Sequence, residues 1–467
     1  MTDLQSLTNP AGVAQVLRQE GLRDGIDAKT ELFCRAAKHL QDRGVRGTAR
    51  AYFVPGRIEV LGKHTDYCGG RSLVAAVERG ICMVASPRTD GQLRLHALDL
   101  EDQVKFRWDR ELDVPPEGWQ NYPMTVARRL ARNFADSCRK GADIAFAGDL
   151  PLASGMSSSS ALVIATYLCL AEIEGVHETA VFRAEIDGVL SLAEYLGTNE
   201  NGQSYGALAG DRGVGTFGGS EDHTAILSSR ADQLGQFSYC PTVRERHVAL
   251  PEGWIFALGV SGVVAEKTGA AQILYNRASF RVRSLVEAWN RAGEGEQVYL
   301  ADILASTPKA GARLRKLINH GYGDFSGEEL TLRLSHFEAE DGLIDTAVSA
   351  LADGNLSAFG DAVDHSQEWT DTMLGNQVPE TVHLARSARA QGAAAASAFG
   401  AGFGGCVWAL VEAQGAEGFL QQWAAAYRSR FPDRSAQARF FTSHAGPAAF
   451  PLHNDGYASY IGSSISN

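Results

Sequence analysis

The stretch from Leu150 to Ala171 constrains this chain most, because it holds no charged residue and is about long enough to cross a bilayer. Its first half argues against a membrane span. Pro151, Gly155 and four consecutive serines, Ser157–Ser160, interrupt it, and the continuous apolar part, Ala161–Ala171, is too short to span alone. A helix that is apolar on every face has to be covered on every face. The chain therefore needs a core wrapped around this helix, and 467 residues can supply one without disulfide or metal staples. Gly392–Val411 is also uncharged, but five glycines break it.

The flanking patterns suggest the elements that do the covering. Residues 1–47 carry apolar residues at three-to-four spacing and read as a helical extension. From Ala51 onward, AYFVPGRIEVLG, ICMVASPRT and LRLHALDL read as strands separated by Gly and Asp turns. A helix is expected from GWQNYPMTVARRLARNF, a strand from ADIAFAGDLP, and one helix over Thr179–Leu196. WIFALGVSG opens a second strand-rich region, followed by helical stretches at 266–291, 309–318, 328–352 and 379–391 and a glycine-rich strand over Ala393–Val411. Strands mixed with helices without regular alternation indicate an α+β fold. The polar, Pro-containing stretch 228–253 marks the expected boundary, giving domains of 48–235 and 250–467 behind the 1–47 extension.

Charge and cysteine content exclude several classes. A formal net charge of −12 argues against a nucleic-acid binder, which needs a basic face to displace counterions. A nucleotide ligand is still allowed, since one phosphate site needs only local donors. Cys34, Cys68, Cys82, Cys138, Cys169, Cys240 and Cys406 form no CxxC pair and are odd in number, so neither a zinc site nor a disulfide framework is expected. The polar start MTDLQSLTNPAG lacks the apolar core of a secretion signal. A cytoplasmic protein with reduced thiols and no membrane partner is the expectation.

Three glycine-rich segments carry candidate chemistry. In Pro151-Leu152-Ala153-Ser154-Gly155-Met156-Ser157-Ser158-Ser159-Ser160-Ala161, glycine lets backbone approach a phosphate, and the following helix points its free N–H groups at the loop. Serine hydroxyls add donors and are oxygen ligands suited to Mg²⁺. The plainer reading is a serine-rich cap on a buried helix; the segment lacks the Gly-Lys-Ser/Thr ending of a P-loop. In Pro55–Gly70, Lys63, His64 and Asp66 cluster beyond a strand end, an arrangement suited to several hydroxyls of a polyol or else to a solvated turn. Gly400–Trp408 has glycines before a strand, as close packing or ligand approach requires.

Taken together, these segments resemble the galactokinases of the GHMP kinase superfamily. Pro55–Gly70 resembles the signature PGRVNLIGEHTDYNGG, the serine loop resembles PxGxGLSSSA, and Gly400–Cys406 resembles GGGFGGC, all in the family order. Trp119, Asn121 and Tyr122 match a WxNY segment, and Val263–Arg277 resembles a segment ending in YNxR. The resemblance implies a two-lobed GHMP kinase fold, with an N-terminal lobe like ribosomal protein S5 domain 2 and a ferredoxin-like C-terminal lobe. It implies transfer of the ATP γ-phosphate to the anomeric hydroxyl of galactose or a related sugar, with Mg²⁺. By the same resemblance Asp222, in a segment matching GIMDQ, is the catalytic aspartate, with Arg57 beside it holding the carboxylate ionised. Glu221 is the local rival for that role. Gly155, Met156, Ser157, Ser158 and Ser159 join Trp119, Asn121 and Tyr122 at the nucleotide, and Lys63, His64, Asp66 and Tyr275 meet the sugar. Ser159 and Glu194 fall on the metal ligands, with Glu200 as substitute because a glycine-rich stretch, 198–213, displaces the usual spacing.

Two positions depart from the pattern. Glu59 replaces the family Asn and Lys63 the family Glu. Lysine exchanges an acceptor of sugar hydrogen bonds for a cationic donor, which opens an acidic sugar such as galacturonate as an alternative substrate. If Lys63 instead pairs with Glu59, the sugar contact survives through His64 and Asp66. A sugar-sensing regulator without turnover is the alternative from another class, disfavoured by the complete catalytic set.

Overall fold

The computed structural model describes residues 2–151, 154–264 and 269–452. Leu152 and Ala153 of the serine loop, Ala265–Thr268 of the 263–277 segment and the 453–467 end of the expected C-terminal domain lie outside the described residues.

A ten-stranded sheet organises the first lobe. Its hub is the strand Arg71–Arg88, antiparallel to Thr48–Leu61 on one side and to Gly141–Gly148 on the other. Gln92–Ala97 runs parallel to Gly141–Gly148, and Asp102–Arg107 pairs with it at the edge. Side chains alternate across Thr48–Leu61, so each face needs its own cover. Phe53 joins Phe33 and Leu40 of the helix Ile26–Asp42, while Tyr52 and Val54 join the core around the helix Ser158–Glu174. The 1–47 extension is thus a packed layer, with helices Pro10–Gln19 and Ile26–Asp42 on one face of the sheet.

The uncharged stretch behaves as its composition requires. Residues 160–171 of the helix Ser158–Glu174 are all buried. Among the described residues no helix is long and apolar enough to cross a membrane.

The second lobe contains a four-stranded antiparallel sheet in the order Ala395–Ala398, Cys406–Glu412, Trp254–Val260, Arg439–Ser443. Helices Pro379–Ala390 and Ala416–Arg430 cover one face, and Phe359 of the helix Leu356–Trp369 stacks on Trp408 from the other. Two of these helices, Leu356–Trp369 and Ala416–Arg430, are not among the elements expected from sequence.

Three expectations change. The helix expected over Thr179–Leu196 is two helices, Ala180–Glu185 and Val189–Asn201. The Ser191 hydroxyl accepts the Gly188 N–H at 2.9 Å and the Asp187 N–H at 3.1 Å, restarting the helix there and carrying it on to Glu200. Ala393–Val411 is two strands around a turn in which Gly400, Gly402, Gly404 and Gly405 all have positive φ. The 228–253 stretch is a hairpin, Gln233–Ser238 with Val243–Ala249, on the first sheet; its second strand is largely solvent-facing, which is why it reads as a linker. The chain also returns to the first lobe at its end, where Ala445–Gly446 and Phe450–Pro451 pair with Arg71–Arg88 and Thr48–Leu61.

Candidate active site

The strand Thr48–Leu61 loses register between Pro55 and Arg57. Such bulges re-aim side chains, and proline is tolerated there because a ladder bond is already lost. Gly56 permits the closest approach: a Cβ on it would lie 2.6 Å from the Met156 carbonyl oxygen. The serine loop therefore sits directly on the bulge, and Gly400 repeats the device, since its Cβ would lie 2.6 Å from the Gly155 carbonyl oxygen. All three glycine-rich segments converge at this point.

Arg57 is buried at the junction. Its Nη1 donates to the Gly155 carbonyl at 2.6 Å and its Nη2 lies 2.8 Å from the Asp222 carboxylate, while Glu221 lies farther from Nε, at 3.6 Å. Asp222 and Glu221 open the short helix Glu221–Ser228, and Ser160 at the start of the buried helix donates to Asp222 Oδ2 at 3.3 Å. Asp222 thus bridges the guanidinium and the serine loop. Burial pushes the Glu221 carboxyl well above its usual range, and nearby Glu59 and Asp66 push it further than Arg57 pulls it back. Burial likewise raises Glu59, against the pull of Arg57 and the Gly400 N–H, which donates to it at 2.8 Å. Of the carboxylates around this guanidinium, Glu59 and Glu221 are buried and raised, and Asp222, part-buried, holds the shortest contact with it.

One cavity is lined by Arg57, His64, Asp66, Tyr275 and Asp222 together, with Glu59, Glu200, Glu221 and His223 adding charge or titratable groups to its wall. His64 adopts φ 58°; its Nδ1 is 2.8 Å from the Tyr67 hydroxyl and its ring centroid 5.4 Å from that of Tyr275. The backbone N–H of Glu221 donates to Asp66 Oδ2 at 3.2 Å, and a Cβ on Gly219 would lie 2.5 Å from the same oxygen. This glycine is what lets the helix Glu221–Ser228 dock on the loop that carries Asp66.

Two expected residues stand elsewhere. Lys63 does not line the cavity. It is 1% exposed, and its ammonium donates to Ser366 at 2.8 Å and to Ser397, both in the second lobe. Nor does it make an ion pair with Glu59 within 4.0 Å among the described residues. Glu194 is also off the cavity: one oxygen accepts the Thr242 N–H and the other the Tyr205 hydroxyl. The longer helix instead brings Glu200 into the wall, 3.3 Å from His223 Nε2. The glycine-rich stretch beyond it is tied down by buried Arg128 on Asp211 at 2.6 Å and by Arg129 on the Gln203 carbonyl.

The remaining candidates are not among the residues that line this cavity. The Trp119 indole donates to Asp102 at 2.8 Å and meets Phe146 edge-on. The amide of Asn121 is spent on the carbonyls of Pro116 and Val214, so its side chain braces the strand-loop wall. Tyr122 packs half-buried against the main core. Ser158 and Ser159 open the buried helix, half-buried, and Ser157 before them adopts φ 57°. The Ser157 hydroxyl is buried without a hydrogen-bond partner, an oxygen left for a phosphate or a hard cation.

Sequence reasoning missed the groups that hold the 62–67 loop from the helix Gly327–Ala352. Glu340, wholly buried, accepts the N–H groups of Gly62 and Lys63 at 2.9 and 3.2 Å. Arg333, equally buried, donates to the His64 carbonyl and to the Tyr67 hydroxyl. No local signal in 327–352 marks them, because their partners are about 270 residues away in sequence.

Comparison with known proteins finds matches over three stretches of this chain. Residues 38–87 match the galactokinase galactose-binding signature, 121–202 the N-terminal domain of GHMP kinases and 347–429 their C-terminal domain. Over these stretches the chain is similar to the GHMP kinases. Within them it is galactokinase-like. A galactokinase of Halalkalibacterium halodurans is 28% identical over 369 residues, 78% of this chain and 83% of its own. Another, from Roseiflexus sp., is 28% identical over 374 residues, 80% and 86% of the two chains. In fold, the Lactococcus lactis galactokinase solved with galactose superposes with a TM-score of 0.71 at 22% identity, covering 89% of this chain and 98% of its own. A mevalonate kinase reaches 0.51 at 13% identity over 84% of this chain and 98% of its own, so the architecture is shared more widely than the sugar signature.

Proposed function

We propose that this chain is a sugar 1-kinase that transfers the γ-phosphoryl group of ATP to the anomeric hydroxyl of galactose. The observation that carries the reading is Asp222, held 2.8 Å from Arg57 while Arg57 also holds the Gly155 carbonyl of the serine loop. Phosphoryl transfer is largely positioning plus charge stabilisation. His64, Asp66 and Tyr275 would orient the sugar, and Asp222 would accept the proton of the attacking hydroxyl or align it. Arg57 would keep Asp222 ionised and offset charge on the transferred group. The serine loop and the helix behind it would hold the phosphates through backbone N–H groups, with Trp119 and Tyr122 on the base side. Ser159, with Glu200 in place of Glu194, would hold Mg²⁺, which neutralises phosphate charge when bound. The unpartnered Ser157 hydroxyl fits that environment.

The acidic-sugar alternative loses its support. Lys63 was its cation, and its ammonium is spent on serines of the second lobe. The cavity wall instead presents the carboxylates of Asp66, Glu200 and Asp222 against one arginine, a field that repels a sugar carboxylate. The test is ADP release with a sugar panel containing galactose and galacturonate, using wild type and Asp222→Ala. Galactose is expected to turn over far faster than galacturonate, and Asp222→Ala to be inactive. Faster turnover of galacturonate, or activity persisting in Asp222→Ala, defeats the proposal; no turnover with any sugar favours a sensor.

A further inference from the structure

A second cavity, of about 590 Å³, opens at the opposite end of the strand Arg71–Arg88 from the 62–67 loop. Its walls are the turn after the helix Ile26–Asp42, the end of Arg71–Arg88 and the hairpin Gln92–Ala97 with Asp102–Arg107. Five cationic side chains line it: Arg43, Arg46, Arg88, Arg94 and Lys105. Arg88 is satisfied by Asp90 and by Asp143, the latter at 2.6 Å. The other four have no carboxylate partner within ion-pair distance among the described residues. Arg46 donates only to the Gln41 and Val45 carbonyls, Arg94 only to the Gln92 amide oxygen, and Arg43 faces His39.

Arg94 and Lys105 are direct cross-strand partners in the hairpin. Like charges placed opposite each other destabilise a sheet. In a chain of net charge −12, four uncompensated cations around one concavity are contrary to the general surface. His96, in the same wall, is pushed down to about 4, by burial first and then by His39 and Arg43, with Lys105 acting the same way against Asp143.

We propose that this cavity is a second ligand site, distinct from the sugar and nucleotide sites, for a small molecule bearing a phosphate or pyrophosphate group. A dianion between Arg94 and Lys105 relieves their repulsion, and guanidinium forks match phosphate oxygens in pairs. The volume lies in the range of small-molecule sites. A nucleic acid is excluded by the negative charge of the rest of the chain. Two sources share the recognised chemistry, a nucleotide and a sugar phosphate.

The test uses inorganic pyrophosphate as probe, by equilibrium dialysis at low salt on the full chain. Wild type is compared with Arg94→Gln/Lys105→Gln and, as an independent variant, Arg43→Gln. Thermal unfolding checks that each folds, and sugar-kinase activity should be unchanged because none of these residues lies in the active site. Wild type is expected to bind one more equivalent than the double variant, with affinity at that site reduced at least tenfold in both variants. Competition by ATP or by a hexose 1-phosphate then tells the two sources apart. Equal stoichiometry and affinity in all three proteins overturn the proposal. So does a single wild-type site that is abolished by substitution in the serine loop.

Discussion

Replacing Lys63 by methionine separates structural support from sugar recognition. The Lys63 ammonium and the Glu340 carboxylate are bridged by the Ser366 hydroxyl, which accepts from one at 2.8 Å and donates to the other at 2.9 Å. Those two bonds bound the charge separation at about 6 Å, for which Coulomb's law at an effective dielectric of about 20 gives about 3 kcal/mol. Methionine fills most of the volume but leaves Glu340 buried without its counter-charge, and breaking a buried pair this way costs about 3–5 kcal/mol. Lys63→Met is therefore expected to lose about 3 kcal/mol, read as a lower urea midpoint at unchanged slope. Adding Glu340→Gln should restore most of the loss, since the amide oxygen still accepts from Gly62 and Lys63 and the orphaned charge is gone. Galactose affinity of the folded single variant, by calorimetry, should stay within about threefold of wild type, a difference under 1 kcal/mol. A Lys63→Met protein that keeps its stability yet binds galactose tenfold more weakly would refute this reasoning and return Lys63 to the sugar.

Asp222→Asn should lower kcat by about 10²–10⁴ with galactose binding little changed, because the proton acceptor is lost while the contact with Arg57 can persist; equal losses in kcat and sugar affinity would point to a binding role. Glu221→Gln should raise the melting temperature more at pH 8 than at pH 5. The folded carboxyl holds a proton that the unfolded chain releases above its ordinary value of 4.5, so wild-type stability falls as pH rises until the folded group itself ionises, and glutamine removes that slope; a pH-independent difference between the two proteins contradicts a neutral Glu221. Gly400→Ala, at φ 81° and with its Cβ 2.6 Å from the Gly155 carbonyl, should cost of order 1–3 kcal/mol and raise the KM for ATP before that for galactose. Glu200→Ala should raise the Mg²⁺ concentration needed for half-maximal activity while Glu194→Ala leaves it unchanged; the reverse result restores Glu194 as the ligand.

The uncharged stretch 150–171, the glycine-serine loop and the Pro55–Gly70 segment are legible from composition and spacing because each is a local statement. An all-apolar helix demands complete cover, and a glycine marks where backbone approaches backbone. Arg57, His64 and Asp66 lie in such a segment, Asp222 and Tyr275 are reached only through the family resemblance, and the structure brings all five to one cavity. Lys63 shows where local reading ends. Its chemistry is that of a sugar or carboxylate contact, but its direction is set by Glu340, Ser366 and Ser397 from the other lobe. Glu194 and Glu200 lie about two turns apart on one helix, and only the helix's start at Gly188 and its packing decide which one faces the cavity. Residue types and short-range spacing determined what chemistry this chain can carry. Which side chains meet across hundreds of residues was decided by packing two sheets around one buried helix, because direction and burial are properties of the assembled core.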